Sequence, residues 1–228
     1  MNSKKSTIGI IGGAGPTAGG YLFQKIIEVS QEKYSCERDA EFPYIFLVSY
    51  PFADMLGENV DRETVKGQLA ECLQTLIKNQ ISVAAIACNT LHGFLPSEIE
   101  GIQLVHIIDE TRKYLEQRNW HTPRILCSST SAKTRLHASY FPCLYPDTST
   151  QKMIDDLIDE VTAGCCLKEA SSRLCGLVDS EEAVVLGCTE LSVIHEAEPL
   201  SHAKVCNPNQ VIAERICELT FQNHGMIE

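Results

Sequence analysis

The chain has 228 residues, 44% hydrophobic and 21% charged, with 14 glycines and 9 prolines. That length suits one large domain or two of about 100 residues, and no apolar run approaches the roughly 18 residues of a membrane span, so disordered, collagenous and membrane classes are excluded. The 30 acidic against 19 basic residues give a net charge of -11, which repels a phosphate backbone; nucleic acid and membrane are not expected partners.

In chain order, a strand is predicted at Ile8 to Ile11, then a glycine-rich turn, then a helix with Leu22, Ile26 and Val29 on one face. Within the turn, Gly13, Gly15 and Ala18 stand in the G-x-G-x-x-A register of a dinucleotide site. The next strand, Tyr44 to Ser49, ends in Tyr50-Pro51 with no carboxylate for a ribose, so the loop better suits a small anion. A helical stripe follows at Val65, Leu69, Cys72, Leu73 and Leu76. The strand Val83 to Ala87 then runs into Cys88-Asn89-Thr90 and a helix-like start, and the strand Leu104 to Ile108 into Asp109-Glu110-Thr111 and another helix.

At the end of the strand Arg124 to Cys127, the segment Cys127 to Thr134 resembles the end of a P-loop with Cys127 and Ala132 in place of both glycines; it reads as a helix cap. A second stripe, Ile154, Leu157, Ile158 and Val161, precedes the strand Ala183 to Leu186, which enters Cys188-Thr189-Glu190. The strand Lys204 to Cys206 and a helix over Val211 to Phe221 close the chain. Such alternation predicts an α/β fold with mostly parallel sheets. We expect a first domain of residues 1–106 with 209–228 returning to it, and a second of residues 107–208.

The chain carries 11 cysteines, an odd number, without any C-x-x-C pair or zinc or iron-sulfur spacing. The opening Met1 to Lys5 leads into a strand pattern and not a signal peptide core, so a reducing, cytoplasmic setting is expected, with most thiols acting as small core hydrophobes. Two stand apart. Cys88 and Cys188 both end buried strands, the position where ligands gather in open α/β sheets. A helix start there is expected to lower a thiol pKa from about 8.5 towards 7 and to attract a carboxylate. If the halves face each other, one cysteine takes a proton from one side of a carbon while the other returns one to the opposite side. Asn89, Thr90 and Thr189 are then suited to the substrate carboxylate. His92, four residues after Cys88, is a candidate to tune the thiol, and Glu190 is either a helix-start charge or the partner of a substrate amine.

Three motifs in order resemble the cofactor-independent aspartate/glutamate racemases, the aspartate racemase branch in particular. They are Gly12-Gly13-Ala14-Gly15-Pro16, Cys88-Asn89-Thr90-Leu91-His92 and Gly187-Cys188-Thr189-Glu190. The resemblance implies two similar flavodoxin-like α/β domains with the site in the cleft between them, a homodimer, and racemisation of a free, acidic amino acid without cofactor or metal. It makes Cys88 and Cys188 the acid/base pair. It makes Gly13, Ala14, Gly15, Asn89, Thr90, Thr130, Ser131 and Thr189 the substrate-binding set, with His92 and Glu190 in support.

Departures from the pattern put aspartate in doubt. Where aspartate-specific members place an arginine and a lysine, this chain has Met55 and Thr162. Losing two charge-assisted hydrogen bonds, at about 1.5 to 3 kcal/mol each, shifts affinity by more than about a hundredfold. Arg62 and Arg135 are candidates to replace the missing charge. Ala14 in place of methionine, and Asn207 before Pro208 in place of aspartate, are smaller changes. Hydantoin racemases and maleate isomerases share the architecture, and a catalytically inactive regulator that binds a small acid is the alternative outside enzymes.

Overall fold

The computed structural model describes residues 7–55, 60–179, 182–201 and 203–222. Strands β1 (Thr7–Gly12), β2 (Tyr44–Ser49), β3 (Val83–Ile86) and β4 (Gln103–Val105) form one parallel sheet in the order β2-β1-β3-β4. Strands β5 (Arg124–Leu126), β6 (Ala183–Leu186) and β7 (Lys204–Cys206) form a second parallel sheet in chain order. The α/β expectation of mostly parallel sheets holds.

Helices α1 (Ala18–Tyr34), α2 (Arg62–Lys78) and α3 (Ile107–Gln117) connect the first sheet. The second carries α4 (Ser129–Lys133), α5 (Thr148–Thr162), α6 (Leu167–Cys175) and α7 (Thr189–Ala197), and α8 (Pro208–Gln222) ends the described chain. Asp61 opens α2 by accepting from the Thr64 N–H at 3.1 Å, and Asp147 opens α5 by accepting from the Thr150 N–H at 2.8 Å. The apolar stripes anticipated on α2 and α5 are the residues these helices bury. One boundary differs: Ile107 and Ile108 belong to α3, because His106 caps that helix, its Nδ1 accepting from the Asp109 N–H.

Strand alternation divides the core. Ile8, Ile10, Val83 and Ala85 of the first sheet share a central core with Val185 and Cys206 of the second, together with Ile212, Ala213, Ile216 and Cys217 of α8. Outer cores lie on the opposite faces, one built from Ile11, Ile86 and the α2 stripe, the other from Val184, Leu186 and the α5 stripe. Helix α8 packs on α1 and α3. No helix among the described residues is long and apolar enough to cross a membrane.

Candidate active site

Parallel pairing aligns the strand ends. Ile11 lies opposite Ile86 and Gly12 opposite Ser49, so the loops after β1, β2 and β3 leave the first sheet at one edge. In the second sheet Leu126 lies opposite Leu186, which brings Ser128 and Cys188 out side by side. The chain leaves β1 for β2 on one side of the sheet and β3 for β4 on the other, so the loops after β1 and β3 flank the point where the strand order reverses, the usual ligand crevice. Gly13 has φ +98°, and a Cβ there would lie 2.0 Å from the Tyr50 carbonyl oxygen. At Gly15 a Cβ would lie 2.0 Å from Glu190 Oε1. Glycine thus lets the loop after β1 close against both the loop after β2 and the start of α7.

These loops enclose a cavity of about 250 Å³ lined by Cys88 and Cys188 together. Of the residues anticipated from sequence, Gly13, Ala14, Gly15, Thr90 and Glu190 also line it, as do Met55 and Thr162. The wall includes Phe52, Ala53, Asp54, Ser128 and Ile158, which the sequence reading did not single out. Ser128 and the Phe52–Asp54 loop follow β5 and β2, so applying the strand-end rule to every parallel strand would have found them. Ile158 lies one helical turn before Thr162, at the edge of a stripe that reads as core. A larger groove of about 690 Å³ between α1, α3 and α8 is lined by ion-paired side chains such as Lys33–Glu214 and Arg215–Glu218 and holds no thiol.

Asn89, Thr130, Ser131, Thr189 and His92 do not line the cavity; they fasten its frame. Thr90 Oγ1 lies 3.1 Å from Ser128 Oγ and 3.0 Å from Ser131 Oγ, a hydroxyl cluster joining the β3 and β5 loops. Thr189 donates its hydroxyl to the Ala87 carbonyl at 2.9 Å, and Thr130 donates to the Met55 carbonyl. His137 Nε2 stands 3.3 Å from Asn89 Oδ1, while Asn89 Nδ2 is buried with no acceptor among the described residues. His92 Nδ1 lies 2.8 Å from the Cys88 carbonyl, and Nε2 accepts from the Ile107 N–H at 3.4 Å. That pattern fixes a neutral ring with its proton on Nδ1, holding backbone and not thiol.

The electrostatics differ from the expected lowering of the thiol pKa values. Burial pushes Cys88 up to about 12, with Glu190 adding to the rise while N–H groups of Leu91 and Thr90 oppose it. Burial, then Glu190, raises Cys188 well above the ordinary thiol value, and burial raises Glu190 itself. Two physical reasons account for this. Cys88 precedes only a five-residue 3₁₀ turn, Thr90–Phe94, which has little dipole to offer. Cys188 does open a true helix, α7, but its Sγ–H donates to Glu190 Oε2 at 2.9 Å, so the helix start is answered by a carboxylate. Burial and Glu190 therefore favour the protonated form of both thiols.

No cation lines this cavity among the described residues. The Arg62 guanidinium lies 4.6 Å from the Phe94 ring centroid, and Arg135 lies 5.7 Å from that of Tyr145. Neither takes the place of the charges missing at Met55 and Thr162.

Comparisons with known proteins agree with this architecture. The chain is 28% identical over 109 residues to the broad specificity amino-acid racemase RacX of Bacillus subtilis (strain 168), a match covering 46% of this chain and 48% of that protein. It spans about half the length of that curated relative. In fold it is similar to the Picrophilus torridus aspartate racemase, with a TM-score of 0.76 and 21% identity over 95% of this chain and 94% of that one. The glutamate racemase of Francisella tularensis, solved with D-glutamate, superposes with a TM-score of 0.65 and 16% identity over 96% and 82% of the two chains. The family model for Asp/Glu/Hydantoin racemase matches residues 11–216. With that match running from the end of β1 into α8, and so through both sheets and both strand-end cysteines, the chain belongs to the Asp/Glu/Hydantoin racemase family.

Proposed function

We propose that this protein is an amino-acid racemase that inverts Cα by two-base proton transfer between Cys88 and Cys188. The observation that supports it is the pair of thiols, delivered by strand ends of two separate sheets, on one small cavity. One cysteine, as thiolate, takes the Cα proton and becomes a thiol. The opposing thiol donates its proton to the other face and becomes the thiolate. One proton leaves the carbon and one arrives, so the product is the mirror image and the two cysteines exchange roles.

Glu190 supplies a route to the thiolate. Moving a proton from Cys188 Sγ to Glu190 Oε2, 2.9 Å away, leaves the net charge of the buried pair unchanged, so desolvation opposes it far less than loss of a proton to water. The ammonium of an entering amino acid favours the same shift. The substrate carboxylate is an acceptor for the Thr90 hydroxyl, which lines the cavity. Glu190→Gln is expected to lower kcat about 10²-fold and to move the rising limb of the pH profile to higher pH. An unaltered profile means that Glu190 only fills space.

Chiral chromatography of reactions with amino acids, hydantoins and maleate tests the reading. Racemisation of at least one free amino acid is expected. Turnover confined to maleate or hydantoins, or thermal stabilisation by a small acid with no Cα exchange, contradicts it.

A further inference from the structure

We propose that the cavity selects amino acids with a cationic side chain, and that Asp54 is the specificity residue that meets that charge; the inference rests on the racemase reading above and names its substrate class. A cavity of about 250 Å³ suits a small ligand of the size of one free amino acid. Beyond the thiols and the Thr90, Ser128 and Thr162 side chains, the wall is apolar at Phe52, Met55 and Ile158. Its charged side chains among the described residues are two carboxylates, Asp54 and Glu190.

The two carboxylates sit at different depths. Glu190 is 4% exposed and bonded to Cys188, so it belongs to the reacting end. Asp54 is exposed and stands at the mouth, beside Met55, whose carbonyl accepts from Thr130 of α4. That bond pins the loop after β2 against the second half of the molecule. On the facing helix, Asp159 is raised from the ordinary carboxylate range by burial and then by Asp155, Asp54 and Asp156, so several carboxylates gather where the loop meets α5.

A substrate with Cα between the thiols and its side chain directed to the mouth meets apolar wall at Met55 and Ile158 and a carboxylate at the exposed Asp54. Lysine, ornithine and arginine match that arrangement, with methylenes against apolar wall and a cation at the half-hydrated end. Aspartate or glutamate would bring a further negative charge to a cavity that already holds two carboxylates and, among the described residues, offers no cation in return. Arg62 and Arg135 lie outside it, as described above.

The test measures Cα–H exchange in deuterated water, by proton NMR, for the full chain with L-lysine, its uncharged analogue L-norleucine, and L-aspartate. Expected is a kcat/KM for lysine about tenfold above norleucine and about 10²-fold or more above aspartate. Asp54→Asn is expected to lower the lysine-to-norleucine ratio about tenfold, and Met55→Arg to raise aspartate relative to lysine by a similar factor. Aspartate exchanging fastest overturns the inference and leaves the racemase reading standing. So does a lysine-to-norleucine ratio that Asp54→Asn does not move. Exchange with no amino acid at all overturns the racemase reading and this inference with it.

Discussion

Cys88→Ser and Cys188→Ser are each expected to lower racemisation by about 10² to 10⁴-fold, the contribution of one positioned acid or base. A serine hydroxyl keeps the shape of the thiol and, at position 188, the hydrogen bond to Glu190, so the melting temperature should move little while turnover falls. On the two-base reading, inversion needs both faces of the carbon, and losing either cysteine is expected to block it. The double variant is therefore expected to fall little below the worse single variant, a non-additivity that marks residues acting as one unit. Chiral chromatography with matched thermal melts checks this. Full activity in either single variant contradicts the two-base account.

Acidification from pH 7 towards 4.5 is expected to destabilise the fold steeply, because His92 and His137 are buried in neutral form. Burial, with the neighbouring His106, lowers His92 to about 3, and burial lowers His137 to about 4, both from 6.5. Protonation of His92 would also remove the acceptor that Nε2 offers to the Ile107 N–H. Between the unfolded value and these folded values, the unfolded chain binds protons that the native chain refuses, so their contribution is fully present above about pH 7 and is lost as pH falls. Two such groups give a slope of up to about 3 kcal/mol per pH unit. Glu190 works in the opposite sense, since burial raises its pKa and the native state takes that proton first. Urea unfolding at intervals between pH 7 and 4.5 measures the net slope, and His92→Gln should reduce it by about half. Stability that does not change across that range contradicts the assignment of two neutral buried histidines.

The strands Tyr44–Ser49, Ala183–Leu186 and Lys204–Cys206 and the stripes of α2 and α5 were legible in the sequence because one-sided or complete burial writes a period into the residues. Ile107 and Ile108 were not legible as helix, since a short apolar run reads alike as a buried strand and as the first turn of a buried helix. For the site, position at strand ends was enough to mark Cys88, Cys188, Thr90, Glu190 and the Gly13–Gly15 loop, all of which line the cavity. Sequence carried no record of which hydroxyls the frame consumes, so Thr189 and Ser131 read like ligand groups although one is bonded to the Ala87 carbonyl and the other to Thr90. Nor does a helix start reveal how deeply its thiol is buried. That is why the expected fall in the cysteine pKa values became a rise at both residues.

The central claim is that two separate thiols serve the two faces of one carbon, and isotope partition at early conversion tests it most directly. An L-amino acid found to be a substrate is incubated with the protein in deuterated water and stopped at low conversion. The two enantiomers are then separated and their deuterium at Cα measured. Two opposed thiols predict solvent deuterium in the newly formed D-enantiomer and none in the recovered L-enantiomer, because the proton taken from one face returns to that face unexchanged. Equal labelling of both enantiomers, the mark of one base reaching both faces, would contradict the account.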